Sequence, residues 1–163
     1  MVPGPKGRPE SGGPFDFIPS PSRDLRKILP QLAEGYDVVV IDSPPIEDHQ
    51  GIAISALRVA VVPVMPTTSE VDRMAPKLAV IADIEPLRAE PLTVCVLLNR
   101  TVANAASTGQ AVDALTAQGY HLLKTQVPRV ELYAQAHGAP VTAAGTAYAD
   151  AATELLEVSG EAR

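Results

Sequence analysis

The run Tyr36-Asp-Val-Val-Val-Ile-Asp-Ser-Pro-Pro45 constrains what this chain can fold into more than any other segment. Val38, Val39, Val40 and Ile41 stand in series and end in Asp42, followed by Ser43, Pro44 and Pro45. An unbroken β-branched run suits a strand buried on both faces of a parallel sheet, since neither face then calls for a polar alternate. The prolines fix the direction in which the chain leaves and stop it from continuing as sheet. A carboxylate at the carboxyl end of such a strand stands where open α/β sheets bind their ligands.

The remainder of the sequence fits the same architecture. The pattern predicts strands at Phe15–Pro19, Tyr36–Asp42, Val59–Met65, Leu92–Leu98 and His121–Val127. Between them it predicts helices: through Arg23–Leu29, capped by Ser20 or Ser22 and ended or kinked by Pro30, and around Gly51–Arg58. A third begins at Thr67-Thr-Ser-Glu70 and carries Met74, Leu78 and Ile81 at helical spacing. Pro76 either disturbs its middle or sits in its first turn. Further helices contain Val112 and Leu115 up to Gly119, run from Val130 to Gly138, and carry Tyr148, Ala151, Ala152, Leu155 and Leu156 before Gly160. Pro63 within its apolar run predicts a strand that ends early or bulges there. Alternating strands and helices indicate an α/β fold, a doubly wound and mostly parallel sheet with helices on both faces. Residues 1–14, dense in proline and glycine, are expected to form a disordered tail, leaving 15–158 as one domain.

Composition narrows the function classes. Hydrophobic residues make up 46% and charged residues 20% of 163, a globular balance with enough chain for one core. Aromatics are 4% with no Trp, so the core is built of Val, Leu, Ile and Ala and modest stability is expected. A formal net charge of -6 disfavours unaided DNA binding, which needs a basic face. Arg23, Arg26 and Lys27, interrupted by Asp24, read as a solvated helix face. No apolar run reaches the length of a membrane span, and no apolar signal core opens the sequence, which predicts a cytoplasmic protein. Cys95 lies in an apolar run and reads as a small buried hydrophobe. His49, His121 and His137 have no zinc-ligand spacing among themselves or with Cys95. Neither a Gly-x-Ser-x-Gly elbow nor a Gly-x-Gly-x-x-Gly turn occurs.

Two positions stand out as candidates for chemistry. Asp42 either coordinates a cation at the sheet's carboxyl end or caps the turn that follows. Asn99, ending the strand Leu92–Leu98, either reads the edge of a purine with its amide or serves as a turn residue. Pro128 can wall the same pocket from the next strand end.

These residues carry a resemblance. Tyr36–Pro45 resembles the Walker B and switch segment of the ParA/MinD partitioning ATPases, a P-loop NTPase family. Val59-Ala-Val-Val-Pro-Val-Met-Pro-Thr67 is similar to the strand and proline-containing turn that follow there. Leu97-Leu-Asn-Arg100 resembles the segment contacting adenine, and Val127-Pro-Arg129 with Glu131 and Tyr133 the late segment completing the base pocket. The match runs in order from about Phe15 to Leu156. It implies ATP and Mg²⁺ as cofactors, with Asp42 the catalytic, metal-holding carboxylate and Ser43, Pro44 and Pro45 the switch loop. Asn99, Arg100 and Pro128 would form the base pocket. The implied activity is plasmid or chromosome partitioning through ATP-dependent dimerisation. Its partners would be a second copy or partner ATPase chain and a centromere-binding adaptor.

The departures from that family carry equal weight. The sequence has no Lys-Gly-Gly-x-x-Lys-[Ser/Thr] phosphate loop, only a faint echo in Lys6-Gly-Arg-Pro-Glu-Ser11. The expected fold is therefore P-loop-NTPase-like but truncated at its amino terminus. Phosphoryl transfer is positioning and charge stabilisation, so a chain without the cradle is expected not to hydrolyse ATP at a useful rate. A non-catalytic regulator or scaffold binding a ParA-type partner is the rival expectation. A fragment of a longer ATPase, or a reading frame opened at a downstream Met, is the third.

Overall fold

A computed structural model describes residues 25–42, 57–88, 90–134 and 144–160. Its axis is the apolar run after Pro91, which forms the strand Thr93–Thr101, here β2. Cys95, Val96 and Leu98 are buried along it, so both faces of the strand meet protein. That is the environment a continuous Val/Leu run favours.

Val59–Val64 (β1) pairs with β2 in parallel, in register from Val59↔Thr93 to Val64↔Leu98. On the other side β2 pairs in parallel with His121–Leu122 (β3) through Cys95↔His121, and with Val127–Pro128 (β4) through Asn99↔Val127. The result is an open parallel sheet with helices in its connections, an α/β fold. The helices are Leu25–Leu32 (α1), Thr68–Asp72 (α2), Met74–Ile84 (α3), Ala106–Ala117 (α4), Glu131–Ala134 (α5) and Ala147–Ser159 (α6).

One sheet face holds the core. Val64, Val96 and Leu98 pack with Val71 of α2, Met74 of α3 and Ala111 and Leu115 of α4. The register sets Val62 beside Val96 and Val64 beside Leu98, so these side chains share that face. The opposite face, with Val61 beside Cys95, lies on the side approached by α6, which contacts β1 and β4.

Local chemistry explains the helix ends. Thr67 caps α2, its hydroxyl accepting the Glu70 N–H at 3.3 Å. Pro76 is the third residue of α3, where no intrahelical donor is required of it. Gly160 closes α6 at φ 76°, a left-handed cap that a side chain would strain.

Several expectations are corrected. Tyr36–Asp42 is not a strand: Val38, Val39 and Val40 are 52%, 43% and 87% exposed, and among the described residues no strand pairs with them. An apolar run becomes β-structure only where a neighbour accepts from its N–H groups and donates to its C=O groups. β1 does not stop at Pro63 but continues to Val64, because an outer strand tolerates a residue lacking an N–H. The expected strand His121–Val127 is two short pieces. Between them the Lys124 and Thr125 N–H groups donate to the Glu154 carboxylate of α6 rather than to β2. α1 runs through Pro30 to Leu32. Leu57 and Arg58 are not helical; the expected strand Phe15–Pro19, the rest of the Gly51–Arg58 helix and the 1–14 tail lie outside the described residues. Among the described residues no helix is long and apolar enough to cross a membrane.

Candidate functional site

Parallel strands deliver their following loops to one end of the sheet, and here those loops enclose a cleft. Met65, Pro66 and Thr67 follow β1; Arg100 and Val102 come from the end of β2; Ser107 lies in the first turn of α4; Arg129 follows β4. The cavity they line measures about 300 Å³. Its position at the strands' carboxyl ends is where open α/β sheets place ligands.

Arg100 is aimed by a backbone irregularity. Asn99 pairs with Val127 and Thr101 with Pro128, which leaves Arg100 as the extra residue of a bulge. Its φ is 59°, left-handed backbone that costs a bulky L-residue roughly 1–2 kcal/mol. The Asn99 Oδ1 accepts the Arg100 N–H at 2.9 Å and steadies the turn. Bulges re-aim side chains beside functional sites, and strained residues gather there. On the partner strand, the Arg129 N–H donates to the Thr101 carbonyl at 2.8 Å and holds the residue beside the end of β2.

The charge distribution separates these arginines from others in the chain. Arg58 stands 3.9 Å from Glu90, Arg73 3.3 Å from Glu70 and Arg88 3.6 Å from Glu85. Among the described residues Arg100 and Arg129 have no carboxylate at ion-pair distance, and no acidic residue lines their cleft. The first-turn N–H groups of α4 also lack a side-chain cap, since Ala105 is its N-cap. The cleft is cationic in a chain of net charge -6.

Sequence-predicted residues divide between two places. Asn99, Arg100 and Pro128 come together on neighbouring strands. Arg100 lines the cleft, whereas the Asn99 carbonyl oxygen is engaged by the backbone. Asp42 is exposed at the end of an irregular segment and does not line the cleft. Ser43, Pro44 and Pro45 lie outside the described residues. Cleft residues not singled out from the sequence are Thr67 and Ser107, and Arg129 stands out there only as part of the segment Val127-Pro-Arg129. The signal for Thr67 and Arg129 was positional: each follows a strand end by at most three residues.

Two titratable groups outside the cleft are shifted from their ordinary values. Burial, and secondly the negative charge of Glu154, push the Cys95 thiol above its ordinary value, so the buried cysteine stays protonated and unreactive. Burial alone pushes the Glu154 carboxyl up. Hydrogen bonds from the Lys124 and Thr125 backbone, the Thr125 hydroxyl and the Lys124 charge outweigh it, and the pKa lies below the usual carboxylate value.

Among the described residues no group of three or more His, Cys, Asp or Glu side chains gathers that could hold a metal ion. The cleft instead suits an anion with an apolar portion, through two guanidinium groups, two hydroxyls and the Met65, Pro66 and Val102 walls. The sequence matches no protein-family model and no curated protein.

Proposed function

We propose that this chain is a nucleotide-binding domain of the ParA/MinD type, with a P-loop-NTPase-like fold, that takes its nucleotide at the carboxyl end of the sheet. The observation that carries this reading is the convergence of Arg100 with Arg129, the residue after Pro128, in one cleft. Segments 27 residues apart in sequence, from Leu97-Leu-Asn-Arg100 and Val127-Pro-Arg129, are thereby joined at the strand ends by β2–β4 pairing. The resemblance assigns both segments to a base pocket, with Asn99, Arg100 and Pro128 as its residues.

Binding without useful hydrolysis follows from the residues present. The sequence lacks the lysine-bearing phosphate loop. Catalysis of phosphoryl transfer needs that cradle in place. The role in plasmid or chromosome partitioning would therefore rest on nucleotide-dependent association with a second copy or a partner ATPase, and on a centromere-binding adaptor. DNA contact by this chain alone is disfavoured by its net charge of -6.

A second reading, a non-catalytic scaffold, is favoured by one feature. Val38–Val40 is an exposed apolar run of strand-forming residues, the kind of surface that pairs with another chain.

Thermal unfolding with and without Mg²⁺ and ATP tests the proposal. Ligand at about 100 times its Kd stabilises by roughly 2.7 kcal/mol, a shift of several degrees. An ATP-dependent shift without accompanying hydrolysis is the expected result. Absence of any shift at millimolar nucleotide would overturn the nucleotide reading and leave the scaffold.

A further inference from the structure

We infer that the cleft is a site for a phosphoryl group: it takes a small phosphomonoester, with the dianion on Arg100 and Arg129 and the organic part against Met65, Pro66 and Val102. The inference rests on the nucleotide reading of this cleft and reverses the ligand within it, placing phosphate where the resemblance places the base.

Independent observations converge on this assignment. Arg58, Arg73 and Arg88 share one pattern, each with a glutamate at ion-pair distance. Arg100 and Arg129 depart from it together, in one cavity, with no acidic lining. Two like charges placed in one cleft repel, and an anion between them removes the repulsion. Arg100 is held in left-handed backbone at φ 59°, an arrangement that persists only where surrounding structure enforces it. Guanidinium groups bind phosphate oxygens through parallel N–H donors, a geometry that adenine, with an acceptor beside a donor on its edge, does not match.

The remaining lining suits the same ligand. Thr67 and Ser107 add hydroxyl donors at the rim. The N-terminus of the 12-residue α4 carries no side-chain cap and brings Ser107 of its first turn to the cleft, an end of the helix that favours negative charge. Met65 and Val102 are 37% and 54% exposed, apolar surface open to a flat organic group. At about 300 Å³ the cavity stands at the small end of ligand sites.

Titration calorimetry of the full chain with AMP, adenosine and inorganic phosphate, at low and physiological salt, tests this. AMP and phosphate should bind, adenosine at least tenfold more weakly than AMP, and binding should fall as salt rises. Arg100→Gln and Arg129→Gln should each weaken AMP about tenfold or more, since hydrogen bonds to charged groups are the strong ones. Arg73→Gln, removing an arginine already paired with Glu70, should leave affinity unchanged. Unchanged melting of each ligand-free variant separates binding loss from unfolding. Equal binding of adenosine and AMP, insensitive to both arginine variants, would overturn the inference while keeping the nucleotide reading. Phosphate binding that depends on the arginines but gains nothing from the nucleoside would retain the anion site and remove the nucleotide reading. No binding by any of the three probes would remove both.

Discussion

Two valine runs of nearly the same composition end differently in this molecule. Val59-Ala-Val-Val62 opens β1, where Ala60 is 8% exposed and Val64, further along, 1%. Val38-Val-Val-Ile41 forms no strand, and Val40 is 87% exposed. Intrinsic preference cannot separate them, since valine and isoleucine favour strands at both places. The difference lies in what stands beside each run. β1 has β2 in continuous register and α2, α3 and α4 over one face. Among the described residues Tyr36–Asp42 has no strand partner. Strand formation is thus a property of the pair, and the unsupported run becomes exposed apolar surface.

The largest expected effect would break this contrast directly. Leu98, packed against α2, α3 and α4, should lose about 2–5 kcal/mol on substitution by Ala. Val40→Ala should change stability by no more than about 0.5 kcal/mol, as exposed positions do. Urea unfolding of both variants decides it. A Val40→Ala cost approaching that of Leu98→Ala would mean that the first run is covered in solution and that the contrast is false.

A smaller effect sharpens the question of what supports a strand from outside the sheet. Glu154 accepts from the Lys124 and Thr125 N–H groups at 2.6 and 2.9 Å and so fixes the turn that leads into β4. Glu154→Ala should cost about 1–2 kcal/mol by leaving those donors without the carboxylate. The pH dependence has a definite sign. The folded carboxyl titrates below its usual 4.5, so its contribution is complete above that value and is lost as pH falls through the folded pKa. The gap between wild type and variant, measured by denaturant midpoint, should therefore be full at neutral pH and narrow progressively as pH falls below the usual carboxylate value. A gap that widens on acidification would contradict the assignment.

The smallest effect concerns the bulge. Arg100→Gly removes the left-handed strain but adds chain entropy to the unfolded state, leaving stability within about 1 kcal/mol of wild type. Arg100→Val, β-branched at φ 59°, should cost about 1–2 kcal/mol. Equal thermal midpoints for the two variants would show that the backbone relaxes and that Arg100 is not held as described.

Much of the fold was legible because helix and strand signals are local. Thr67 before Ser69 and Glu70, the apolar run before Asn99, and Gly160 after the last apolar stripe each announce an element through the chain's own stereochemistry and periodicity. The interrupted third strand was not legible, since it depends on Glu154, 29 residues beyond Thr125, drawing away the N–H groups that would have joined the ladder. The site was half legible. Arg100, Thr67 and the segment containing Pro128 stand at strand ends, while Ser107 belongs to the cleft only through the assembled sheet end.

By itself the sequence determined an α/β class and most of the elements from Val59 onward, because periodicity and turn chemistry act within a few residues. Tertiary structure alone decided which valine run became a strand, which arginines went unpaired and where they met. Those outcomes depend on neighbours brought together across tens of residues, and a hydrogen-bond ladder or a cationic cleft exists only once both sides are in place.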